Sequence, residues 1–124
     1  MGIFIRTIYD PPGEDDGLRY LVESVLPEGV EEAELSLSGW LKELAPSDGV
    51  RAVLDKGKNS WKEFCRLYYM ELLHPSKEPF LALITEQARV QNVTLVFDAP
   101  DPKHNHAMVL KTLIELRMRI DEDF

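Results

Sequence analysis

The amino-acid sequence predicts an α/β fold: a single compact domain over residues 1–124 in which a small sheet of about three or four strands is packed by about five helices. Three observations lead there. The run 92–98, NVTLVFD, carries the strongest strand signal in the chain. Two separate stretches, around residues 61–72 and 79–88, place apolar residues at helical spacing. Proline and glycine punctuate the chain between these runs, with no internal repeat, low-complexity tract or linker. At 124 residues the chain can bury about two-thirds of its unfolded surface, so it needs no disulfide or metal staple.

The first element, GIFIRTIYD, reads as a strand ending near Tyr9, stopped by PPGEDDG. LRYLVESVL alternates partially and predicts a second strand at about residues 18 to 25, before Pro27 and Gly29. The loop between them, about eight residues, favours a hairpin, because parallel neighbours usually need a longer crossover; a parallel arrangement stays open. From Glu31, the positions Ala33, Leu37, Trp40, Leu41 and Leu44 predict a helix ending at Ala45, where Pro46 disfavours helical torsions. Glu31, Glu32 and Glu34 suit the positive end of such a helix.

Ser47 is placed to cap a short helix that Gly57 closes, and Ser60 with Glu63 spells a capping box for the next. The buried face of that helix is Trp61, Phe64, Cys65, Tyr68 and Leu72, and Pro75 stops it. Ser76 then caps a helix that tolerates Pro79 in its first turn and buries Phe80, Leu83, Ile84 and Ala88. After the strand at 92–98, Asp101 as N-cap and Pro102 at the first helical position begin a final helix running toward Arg119. The terminal DEDF reads as a solvated tail.

Charge narrows the function classes. Fourteen Lys and Arg against 22 Asp and Glu give a net charge of -8, which repels phosphate backbones and anionic lipid, so neither nucleic acid nor membrane is an expected partner. Apolar runs such as PFLALIT fall far short of the roughly 20 residues of a membrane span. The single cysteine and the absence of a signal-peptide pattern make the cytoplasm the expected location. Cys65 lies on an apolar face with no activating partner and reads as an inert core thiol. Gly13 and Gly17 do not make a phosphate-cradling loop, because the acidic residues between them oppose one.

Two of the three histidines sit in one short stretch, VFDAPDPKHNHAMVL. On a helical wheel, Lys111, Thr112 and Glu115 lie within about 80° of His104, which therefore faces water. His106 lies opposite, sharing a face with Leu110, Leu113 and Ile120. An inward histidine most often donates to a backbone carbonyl and ties its helix to the sheet. At a strand's carboxyl end beside a helix start, it also stands where open α/β sheets bind ligands, with Asp98 and Asp101 close in sequence. Histidines two apart diverge on a helix, so no metal site is expected.

The blocks YDPPGEDDGLRYLVESVLPEGV, WLKELAPS, WKEFCRLYYMEL and VTLVFDAPDPKHNHAMVL resemble the YeaO-like small proteins of the family called domain of unknown function four-eight-eight. The resemblance spans nearly the whole chain. It implies an α/β fold with strand-terminal segments gathered on one side and no established activity. With parallel first strands it would bring Tyr9, Asp10 and Glu23 toward His106. Where such relatives carry two arginines and a tryptophan after the second strand, this chain has Ser24, Glu28 and Leu26, and so lacks fork donors for an anion.

Two functions follow as expectations. One is a small polar ligand bound at the strand ends, with or without catalysis: His106 and Asp98 would act chemically, while Tyr9, Asp10, Glu23, Asp101, His104 and Asn105 would hold the ligand. The other is a non-catalytic interaction module with a degenerate site, for which a homo-oligomer is an open arrangement. Neither calls for a cofactor, and the sequence does not decide whether the chain is an enzyme.

Overall fold

A computed structural model describes residues 1–122, less the side chains of Lys58, Asp121 and Glu122; the expectation for the terminal DEDF falls outside what it describes. Four strands, β1 (Gly2–Thr7), β2 (Leu18–Leu21), β3 (Gly39–Trp40) and β4 (Asn92–Phe97), form one parallel sheet in the order β1-β4-β2-β3. The helices are α1 (Asp48–Leu54), α2 (Trp61–Leu72), α3 (Glu78–Val90) and α4 (His106–Glu122). The α/β class therefore holds.

β4 lies between β1 and β2 and is buried on both faces from Val93 to Phe97, as a central parallel strand with both sides covered must be. Its period of two divides the core. Val93, Leu95 and Phe97, with Ile3, Tyr20 and Val22, meet Phe64, Tyr68, Ile84, Leu110 and Ile114 of the helices. Val96 and Leu21 face the other way, onto Ile8, Leu35, Leu37 and Trp40.

The hairpin expected between the first two strands does not form. β1 and β2 each pair in parallel with β4, and residues 8–17 carry the chain back past it without a helix. Ten extended residues reach about 33 Å, more than the length of either strand, so this crossover is short but sufficient. Asp16 anchors it: its carboxylate pairs with Arg6 at 2.6 Å and with buried Arg19, while its carbonyl accepts from the Thr94 hydroxyl at 2.8 Å. β2 ends at Leu21 rather than near residue 25, although Val22 N–H still donates to Val96 O.

Residues 31–45 are not helical, which reduces the helices from about five to four. Two 3-10 turns, Glu32–Leu35 and Lys42–Leu44, flank β3. Ser36 takes a left-handed conformation with φ 52°, which ends the first turn, and the segment lies over the second face of the sheet. Of the apolar residues expected to face the core, Leu41 and Leu44 are buried and Leu37 and Trp40 partly so, held by a wrapped loop rather than a helix, whereas Ala33 is exposed. Gly39 fits because a Cβ there would sit 3.0 Å from the Tyr20 ring.

Ser47 caps α1 by accepting from Val50 N–H, and Gly57, with φ +108°, follows its end. The capping box of α2 is absent: the Ser60 hydroxyl makes no cap bond, and Glu63 instead pairs with Arg66 at 2.6 Å. Ser76 does not cap α3. It lies in a 3-10 turn, Pro75–Lys77, where its N–H donates to His74 Nδ1, and Pro79 falls in the tolerant first turn that follows. The buried stripe of α3 is Leu81, Ile84, Thr85 and Ala88, whereas Leu83 is exposed. Likewise Ile120, expected on the buried face of α4, is exposed, because the sheet and α3 cover the earlier turns of that helix and leave its end open.

Gly17 has φ +66°, and a Cβ there would lie 2.0 Å from the Asn92 carbonyl oxygen. Gly17→Ala should destabilise the protein by about 2–4 kcal/mol through strain and displacement of β4. Urea denaturation monitored by circular dichroism checks this; an unchanged midpoint would show that this approach does not constrain the sheet.

Candidate functional site

The site forms where β2 and β4 end. Beyond β2 the chain runs inward through Val22 and Glu23, and beyond β4 it turns through Asp98 to Asp101. Asp101 does not begin the last helix. Its Oδ1 accepts from Lys103 and His104 N–H groups at 2.9 and 3.1 Å, so the N–H groups that would start a helix close a turn instead. Asn105 is the cap: its Oδ1 accepts from Met108 N–H at 2.8 Å while its Nδ2 donates to Asp101 O at 2.9 Å. The paired bonds bury Asn105 and aim His106 into the sheet.

His106 is 0% exposed, as its place opposite the polar face of the helix requires. Its Nε2 lies 2.6 Å from Glu23 Oε2 and 3.1 Å from Val22 O. Both neighbours are acceptors, so Nε2 carries the proton, an assignment from hydrogen-bond geometry. The ring meets Phe97 edge-on at 6.1 Å and Tyr68 at 6.4 Å, and its Nδ1 is buried without a hydrogen-bond partner. Helix-to-sheet tethering through a backbone carbonyl, the common role for an inward histidine, is what Val22 O provides.

Glu23 is the centre of the cluster. Its Oε1 accepts from Arg51 Nη1 at 2.6 Å, and its Oε2 also accepts from Asp98 N–H at 2.9 Å. Its carbonyl accepts from the Trp40 indole N–H. Burial by itself raises the carboxyl pKa. The hydrogen bond from His106, with the Asp98 N–H and the Arg51 guanidinium, outweighs that and holds the group below its usual range. Arg51 also donates from Nη2 to Asp98 O at 2.8 Å, closing a ring through α1, β2 and β4.

The expected residues thus separate. Glu23, His106 and the backbone of Asp98 meet directly. His104 is exposed, but in the turn before α4 rather than within it; its ring lies 4.9 Å from Trp61 and its Nδ1 3.3 Å from Asp101 Oδ2. Tyr9 is 68% exposed, and Asp10 folds back to accept from Thr7 N–H at 2.9 Å. Neither joins the cluster: the strands are parallel, yet β4 stands between β1 and β2. Arg51 had no motif to announce it, and Trp40, though an expected core position at the start of WLKELAPS, carried no sign that its indole N–H would reach Glu23 O. The sole advance signal for Arg51 was its place on a capped helix following the second strand.

Two openings flank Arg51. One, of about 260 Å³, is lined by Leu54, Asp55, Gly57, Trp61, Ala99, Pro100, Asp101 and His104 beside Arg51. The other, of about 230 Å³, is walled by Glu23, Ser24, Asp48 and Asp98, with Pro27 and Pro46. Ser24 and Glu28 are exposed, and Leu26 packs beneath Trp40's side of the sheet. Among the described residues no group of three or more His, Cys, Asp or Glu is arranged to hold a metal ion, and no helix is long and apolar enough to cross a membrane.

Over residues 2–123 the sequence matches the family described as the inactive DUF488-N3 subclade. The chain belongs to this subclade. It is 32% identical over 110 residues to the uncharacterised protein YeaO of Escherichia coli (strain K12), across 89% of this chain and 94% of that protein. Uncharacterised proteins of Mycobacterium bovis and Mycobacterium tuberculosis are 28% identical over 116 residues, covering 91% of this chain and 93% of theirs. No solved structure matches this subclade member. The family resemblance drawn from the sequence blocks is thereby established.

The Glu23 pKa lies below its ordinary value of 4.5, so its stabilisation is fully present above that pH and is lost as pH falls through the folded-state value. Asp16, lowered from 3.8, acts in the same direction at lower pH. Urea midpoints should therefore fall between about pH 5 and about pH 3. Glu23→Gln should cost about 3 kcal/mol at neutral pH, because Arg51 loses its counter-charge, and should flatten that pH profile. A variant as acid-sensitive as the parent would remove Glu23 as the source.

Proposed function

We propose that this protein is a non-catalytic binding domain that takes a small polar ligand in the cleft between Trp61, His104 and Arg51, with His106 acting as a structural pin beneath it. The observation that carries this reading is the contrast between the two histidines. His106 is sealed from solvent with Nε2 committed to Glu23 and Val22, whereas His104 lines an open concavity at the sheet's carboxyl end. General acid or base work requires hydrogen-bond reach to a reacting group, and His106 has none to the outside. The cleft, about 260 Å³, lies just below the range for ligand pockets, about 300–1,000 Å³, so it suits a small guest, and it combines apolar walls with a few polar groups. The description of its subclade as inactive agrees with binding without chemistry.

Titration of the isotopically labelled protein with indole, followed by amide NMR, tests this. Shifts should concentrate at Leu54, Asp55, Gly57, Trp61 and His104 and saturate, and Trp61→Ala should weaken binding by about fivefold or more. Shifts scattered over the surface without saturation would overturn the reading.

A second reading, an interaction module, is favoured by a groove of about 560 Å³ along α2, where Ala45, Val50, Leu67 and Met70 line the walls. Met70 is 61% exposed and the neighbouring Leu73 67%. If this groove is an interface, light scattering should show an assembly that the double variant Met70→Glu, Leu73→Glu dissociates. A monomer at all concentrations tested would leave self-association unsupported.

A further inference from the structure

We infer that the cleft beside Trp61 selects, among small polar ligands, one that carries a positive charge on a flat ring system, such as an aryl-alkyl amine, over its neutral or anionic counterparts. The inference rests on the binding reading above and adds the shape and charge of the ligand.

Shape comes from the walls. Trp61 is half-buried and stacks on Phe64 at 5.7 Å, so its indole is held in place while part of it remains open to the cleft. Leu54, Ala99 and Pro100 complete an apolar lining suited to a ring. His104 contacts Trp61 at 4.9 Å from the turn that Asp101 organises, and its 43% exposed side chain gives the aromatic wall a second, solvent-facing member.

Charge comes from an imbalance that a count of residue types conceals. The lining holds one guanidinium, Arg51, and two carboxylates, Asp55 and Asp101. The Arg51 charge is already matched at 2.6 Å by Glu23, and its Nη2 is given to Asp98 O, so little of it is offered to a guest. The N–H groups of Lys103 and His104 hold the Asp101 carboxyl below its usual range, keeping it anionic at neutral pH. Asp55, just past the end of α1, is exposed on the opposite rim. On the far side of Arg51, Asp48 and Asp98 add charge of the same sign, as does the net charge of -8. An ammonium group near the rim meets the exposed Asp55 carboxylate, the Asp101 carboxylate, whose Oδ1 is engaged by two N–H groups and whose Oδ2 lies 3.3 Å from His104 Nδ1, and the partly exposed Trp61 ring; carboxylates and indoles both attract cations. A carboxylate in that position meets repulsion from both acids.

Three probes that share one ring system separate these effects: tryptamine, indole and indole-3-acetate, each titrated into the intact chain at low ionic strength with amide NMR readout. Tryptamine should bind about tenfold more tightly than indole-3-acetate, with indole between, and the preference should shrink as salt is added. Asp55→Asn, an exposed change checked for an unaltered melting temperature, should weaken tryptamine about threefold and leave indole unaffected. Equal affinities, or tighter binding of indole-3-acetate, with shifts still centred on Trp61 would overturn the charge inference and leave the cleft reading standing. Shifts that avoid the cleft with all three probes would overturn both.

Discussion

A carboxylate 4% exposed at the end of β2 must be matched by hydrogen bonds and opposite charge, since an isolated buried ion costs several kcal/mol. Glu23 obtains these from every direction at once: the imidazole of α4, the backbone after β4 and the guanidinium of α1, while its own carbonyl accepts from the indole of β3. Each donor is presented by a different element. The position of any one of them is therefore fixed by the others, and the strand-end corner behaves as one unit. A protein that kept this arrangement only for packing could fill the same space with apolar side chains. The ionic version adds direction, because fork donors and ring nitrogens accept little error in angle.

Much of this could be read in the letters, and the failures share a cause. NVTLVFD, the apolar face of α2 and the inward turn of His106 are local signals, set by periods of two or 3.6 residues that hold wherever the element packs. Residues 31–45 carry helical spacing that arises from something else. Leu35, Leu37 and Trp40 are drawn down onto Leu21 and Val96, and a chain wrapped over a sheet with two tight turns returns apolar residues at intervals resembling a helix. Capping was misplaced at Asp101 for a related reason: an Asx turn and a helix N-cap use the same carboxylate and the same N–H groups, and only Asn105's second bond tells them apart. Strand order lies further beyond reach, because Tyr9 and Asp10 fail to meet His106 only when β4 is known to intervene.

The cluster also shows how a set of side chains that looks chemical can be engaged in holding elements together. A glutamate, a histidine and an arginine within 2.6 Å contacts would serve proton transfer if water or substrate reached them. Here Tyr68 and Phe97 close the space around His106, and the Tyr68 hydroxyl is itself given to Leu44 O, while Glu23 and Arg51 border an opening of about 230 Å³. What remains open to solvent is the rim around Arg51, where His104 and Trp61 lie. Buried polar bonds and accessible surface have been allotted to different residues of the same short stretch.

The order β1-β4-β2-β3 places the last strand to be synthesised in the interior of the sheet. β1 has no partner but β4, which pairs Gly2 with Asn92, and β2 gains its longer partner only from the same segment. While the nascent chain emerges from the ribosome, two apolar strands thus remain open-edged until residues 92–97 arrive to fill the gap. Such late, long-range closure slows folding and lengthens exposure to aggregation. The helices made in the interval, α2 and α3, are the elements able to cover those strands provisionally, so chaperone dependence should be greatest where they are weakened.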